Sequence, residues 1–178
     1  MQVYAFDESG WAVGNVEALG PTEAFSLFAA APEGRLPEAL GHHATRFFGV
    51  AVETSPAKRY EGGWPLADAA LVVVRRAGRE MGRVSVVTVP LERAPLVRAA
   101  AESGIRRMGG AGFDALLARA RRLWQVAHLP AAGEAAVPLL VAAALASALL
   151  APVLPPEGGV LFGVRGARDR LARLGWRD

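Results

Sequence analysis

The chain has 178 residues, of which 20 are basic and 17 acidic, giving a net charge of +3 with 52% apolar residues. That length buries a full hydrophobic core, and that apolar share excludes a disordered polymer. The complete absence of cysteine excludes disulfide scaffolds, thiolate zinc sites, iron–sulfur clusters and thiol catalysis.

All the basic residues except Lys58 are arginine. Arginine presents a planar fork of donors that matches phosphate oxygens, but a net charge this small holds no nucleic acid by itself. Clusters matter more. Arg119, Arg121 and Arg122 fall within one expected helix, and Arg165, Arg168, Arg170, Arg173 and Arg177 crowd the C-terminus. A GC-rich, heat-adapted genome also accounts for the arginine bias. The first ten residues show no basic segment followed by an apolar one, so no signal peptide is expected. Residues 135–154 are apolar and long enough to span a bilayer. They contain Pro138 and Pro152 and lack flanking aromatics, which favours a buried helix and a cytoplasmic protein.

In chain order, residues 3–7 and 11–19 read as strands around the turn Glu8-Ser9-Gly10. Residues 23–30 form a third strand or a short helix, and 36–44 a short helix. The run FFGVAVE, residues 47–53, has the length and continuous apolarity of a central strand covered on both faces. Residues 64–81 are ambiguous between strand and helix, and their length favours helix. Residues 83–90 (RVSVVTVP) read as a strand and 95–103 as a helix ended by Gly104. In residues 113–128, Phe113, Leu116, Leu117, Ala120, Leu123, Trp124 and Ala127 recur at helical spacing on one face. Residues 134–151 form an all-round apolar helix, 159–164 a short strand, and a basic helix closes the chain. Strands that meander first and cross over later give a mixed α/β sheet.

Three carboxylates fall at element ends. Asp7 ends the first strand, Glu53 ends FFGVAVE, and Glu134 opens the apolar helix. Converging at one sheet edge, they suit Mg²⁺ or Mn²⁺, and two such ions on a phosphodiester set up in-line attack by bound water. Each also has a plain structural reading: a turn aspartate, a solvated strand end, and an acid on a helix dipole.

The motifs AFDESG (Asp7 before a glycine turn), Val50-Ala51-Val52-Glu53, RVSVVTVP and GEAAVPLLVAAALA with Glu134 occur in an order that resembles the RNase H-like superfamily, within it the RuvC-like Holliday junction resolvases. The resemblance covers residues 1–154, leaving 155–178 as a basic extension. It implies an α/β RNase H-like mixed sheet, antiparallel in strands 1–3 and parallel thereafter. It also implies a divalent-metal nuclease acting on DNA, with Asp7, Glu53 and Glu134 as metal-holding catalytic residues. Arg119, Arg121 and Arg122 would then contact phosphate. The family's fourth ligand position is Ala131, which binds no metal, and the last carboxylate is Glu rather than Asp. Two alternatives stay open: an inactive RNase H-like nucleic-acid-binding or assembly protein, and an α/β protein without a nucleic-acid role. A homodimer packed through the alanine-rich residues 135–154 is expected. The glycine-rich residues 104–112 lack the lysine of a phosphate-binding loop and read as a connection between helices.

Overall fold

Residues 122–127 are buried at every position. They belong to a strand, β5 (Arg122–Gly133), and not to the long helix that their spacing suggests. Leu123, Gln125 and Ala127 face one side of the sheet, and Trp124 and Val126 the other. A strand covered on both faces needs apolar residues at every position. The computed structural model describes residues 17–34, 36, 39–55 and 69–177.

Five further strands flank β5: β1 (Phe25–Ala29), β2 (Ala51–Ser55), β3 (Ala69–Arg76), β4 (Arg79–Pro90) and β6 (Val153–Leu154). Their order across the sheet is β2-β3-β4-β5-β1-β6, and every pairing is antiparallel. This corrects the fold expected from the resemblance: the class is α/β, but the RNase H-like mixed sheet with its parallel strands is not formed. The run FFGVAVE is divided between a helix end and the edge strand β2, so it is no central strand. Residues 69–90, half expected as helix, make the β3–β4 hairpin. Its turn is Ala77-Gly78, with φ of 49° and 78°. Two positive φ values give a turn whose twist matches the flanking strands.

Helices cover both faces. On one lie α1 (Ala39–Phe48), α4 (Val137–Leu149) and α5 (Val164–Arg173). Their core includes Leu40, Ala44, Phe48, Ala167 and Leu171, packed with Val72, Val74, Val84, Val86, Trp124 and Val126 of the sheet. The first ten residues of α4 are all buried, which is why that segment is apolar all round. His43 Nδ1 and Ser147 Oγ, 2.6 Å apart, tie α1 to α4. On the other face α2 (Pro95–Arg107) and the short α3 (Phe113–Arg119) bury Val97, Ala101, Ile105 and Leu117 against Phe28, Val87, Val89 and Leu123. Residues 155–177 return to the same body: Phe162 bridges Val153, and Ala167 and Leu171 join the first core.

The connections explain the layers. The chain leaves β1, crosses through α1 and re-enters at β2, four places away, in the same direction. β4 and β5 are neighbours, yet α2 and α3 intervene between them, and this excursion builds the second helical layer. No helix among the described residues is long and apolar enough to cross a membrane. At 1.5 Å per residue, the 13-residue α4 spans about 20 Å, short of the roughly 30 Å hydrocarbon layer.

Candidate functional site

The sheet separates Glu53 from Glu134. Asp7 lies outside the described residues, as do the strand expected at 3–7 and most of that at 11–19. Glu53 sits on the edge strand β2, paired with Val73 of β3. Glu134 follows β5, where its N–H donates to the Met81 carbonyl. β2 and β5 are three strand places apart, which at about 4.8 Å per place puts their backbones roughly 14 Å apart. Each carboxylate is also engaged. Arg75 Nε donates to Glu53 Oε2 at 3.4 Å, and Arg79 Nη2 donates to Glu134 Oε1 at 2.7 Å. No cluster of three metal-ligating residues forms among the described residues. Glu53 and Glu134 therefore do not fit a shared Mg²⁺ or Mn²⁺ centre, and no step is routed through such an ion.

Glu53 instead joins a charge ladder on the outer face of the hairpin. Arg75 Nη2 lies 3.7 Å from Glu80 Oε2, and Glu80 takes two hydrogen bonds from Arg83, at 2.6 and 3.2 Å. The forked bond from Arg83 holds the Glu80 carboxyl below its usual range and raises the Arg83 guanidinium in return. Glu80–Arg83 lies within β4, whereas Glu53–Arg75 and Arg75–Glu80 cross between strands, where pairs of opposite charge favour register and are worth little more than that at an exposed site.

The expected arginine trio is also divided. Arg119 ends α3 and Arg121 lies between α3 and β5, both exposed. Arg122 is the first residue of β5 and is 1% exposed. Its Nε donates to the Pro32 carbonyl at 2.6 Å and its Nη1 to Thr88 Oγ1 at 3.2 Å. Burial pushes its guanidinium below the usual arginine range, partly offset by Glu33. Arg122 thus pins residues 30–34 to the sheet and does not meet an external phosphate.

A different basic surface forms where α1 ends, α5 runs outward and the β3–β4 hairpin turns. On α5 the exposed residues Arg165, Arg168, Asp169, Ala172 and Arg173 make a stripe opposite the buried Ala167 and Leu171. The Arg168 guanidinium lies 5.2 Å from the Phe47 ring centroid, and Arg46 lies 5.5 Å from the same ring. At the other end of α5, Arg76 stacks 4.5 Å from the Trp176 ring centroid and donates to the Arg177 carbonyl at 2.9 Å. Arg170, on the inner side, is held by Glu157 and by the Phe162 ring. Among the described residues no ion pair neutralises Arg46, Arg76, Arg165, Arg168 or Arg173. Asp169 is the one acid on the stripe.

The C-terminal arginines were legible as a cluster in the sequence, whereas Arg46, Phe47 and Arg76 were not. Their signal is hidden because the pattern at residues 47–53 reads as a strand and that at 64–81 as a helix, which sets both apart from the C-terminal cluster. Of residues 104–112, expected as a connection between helices, 104–107 are the last turn of α2 and only 108–112 join α2 to α3. The His43–Ser147 pair is a packing tie: among the described residues no carboxylate hydrogen bond completes a triad around it. Comparisons with protein-family models, with curated proteins and with solved structures found no match for this chain.

Proposed function

We propose that the protein binds nucleic acid, DNA in the first instance, through phosphate contacts of the surface formed by Arg46, Arg76, Arg165, Arg168 and Arg173. The observation that carries this reading is the set of guanidiniums laid on Phe47 and Trp176, which no carboxylate among the described residues neutralises. An aromatic ring under a guanidinium orders the side chain before any ligand arrives. A pre-ordered arginine loses less freedom on meeting a phosphate and presents its donors as a fork. Five arginines against the single acid Asp169 among the described residues of this surface also concentrate positive potential that the net charge of +3 conceals.

The reading is of a binding protein. The divalent-metal nuclease that the resemblance implies needs its carboxylates brought together, and Glu53 and Glu134 are held apart by two intervening strands and engaged by arginines. The test is fluorescence anisotropy with a labelled 24-base-pair DNA duplex at 50 mM salt. The wild type is expected to bind, and the double variant Arg168→Ala/Arg173→Ala to bind at least about tenfold more weakly, the expected effect of two lost phosphate contacts. Equal binding by the two proteins contradicts the assignment. Incubating the bound duplex with Mg²⁺ or Mn²⁺ and finding it cut would restore the nuclease.

A further inference from the structure

The state of the two aromatic rings bears on which form of nucleic acid the surface takes. Proteins that hold single strands without sequence preference expose flat rings on which bases stack. Here the rings are already covered. Phe47 is half-buried, packs against the core of α1, α4 and α5, and carries the Arg46 and Arg168 guanidiniums, with the His43 ring edge-on at 5.4 Å. Trp176 is likewise half-buried against that core, its indole Nε1 is buried, and Arg76 lies over its ring. A base seated on either ring would have to displace a guanidinium that is itself a phosphate contact.

Resting on the proposed function, we infer that this surface reads the phosphate backbone of a duplex and stacks no bases. Phe47 and Trp176 act as platforms for arginines, not as platforms for nucleobases. A duplex carries one charge per roughly 1.7 Å of axis, twice the density of one of its strands. A surface limited to phosphate contacts therefore favours the duplex and is indifferent to sequence.

The experiment compares a 24-base-pair duplex with 24-nucleotide oligo(dT), each titrated by anisotropy at 50 mM salt against the wild type, Phe47→Leu and Trp176→Leu. Circular dichroism confirms that the variants fold. The inference expects the wild type to hold the duplex about tenfold more tightly than oligo(dT), and Phe47→Leu and Trp176→Leu to weaken both ligands in equal proportion, leaving that ratio unchanged, because each removes a platform for a phosphate-contacting arginine. Stacking would instead show as a loss confined to oligo(dT), with duplex binding little affected, of roughly 5- to 150-fold in Trp176→Leu or Phe47→Leu, the range for one stacked base. That loss, or a single-strand preference in the wild type, overturns the inference and leaves the binding function standing. Failure to bind either ligand removes both together.

Discussion

Two arginines show how burial divides roles that look alike in sequence. Arg122 and Arg168 are each a guanidinium in an arginine-rich segment, yet Arg122 is sealed between Pro32 and Thr88 while Arg168 lies on a ring at the surface. Replacing Arg122 by alanine strands the Pro32 carbonyl, frees Thr88 and opens a cavity. We expect a loss of about 2–4 kcal/mol in chemical denaturation. DNA affinity of the folded variant should be unchanged. Arg168→Ala should do the reverse, weakening binding with stability within about 0.5 kcal/mol. The ladder residue Glu80 adds a pH signature. Its folded carboxyl is held below the usual range, so its contribution is present above the ordinary carboxylate pKa and is lost as pH falls through the lowered folded value. The gap in melting temperature between wild type and Glu80→Gln should therefore be open at pH 7 and narrow as pH falls below the ordinary carboxylate range. The same narrowing in an Arg83→Ala background would mean that Arg83 is not the cause.

Among the elements, the β3–β4 hairpin turn and the crossing of α2 by the C-terminal segment give the clearest tests. Ala77 takes φ of 49° in the turn, a conformation that costs an alanine roughly 1 kcal/mol and an asparagine less. Ala77→Asn should raise stability by about 0.5–1 kcal/mol in urea melts. Gly104 lies inside α2, where a Cβ would meet the Gly159 carbonyl oxygen at 2.5 Å and Leu161 Cδ1 at 3.0 Å. Gly104→Ala should destabilise by about 1–3 kcal/mol, because the nearer atom is backbone and cannot turn aside. The same glycine explains a limit of the sequence reading. As a helix breaker it suggested an end at 103, but close packing keeps it within a helix that runs to Arg107. The apolar helix 134–151 was legible because full burial removes any polar face, and the strand at 83–90 because its valines recur in a β-rich run. Residues 113–128 misled for a physical reason. Leu117, Ala120, Leu123, Trp124 and Ala127 fit a helical face, but burial on both sides of β5 demands apolar residues without alternation, and that pattern fits helix and strand alike. Pairing geometry was beyond reach: nothing local distinguishes an antiparallel β4–β5 contact spanning two helices from a parallel crossover.

At the scale of the whole molecule, the sheet order decides what the surface presents. Because α1 crosses from β1 to the far edge, its C-terminal Arg46 and Phe47 come to the same side as α5 and the hairpin. Because α4 fills the middle of that helical layer, the alanine-rich face expected to meet a second copy is used up inside the protomer. The shared metal site expected of Glu53 and Glu134 is not formed, because β3 and β4 stand between their strands. The basic surface owes nothing to that expectation and rests on side chains placed by three separate elements.

The most direct measurement is the salt dependence of duplex binding. Five phosphate contacts predict that log Kobs falls with log salt at a slope of about −4.5, and removing Arg168 and Arg173 should reduce its magnitude by about 2. A slope near zero in the wild type, or one unchanged by the double variant, would contradict the assignment of this surface to phosphate.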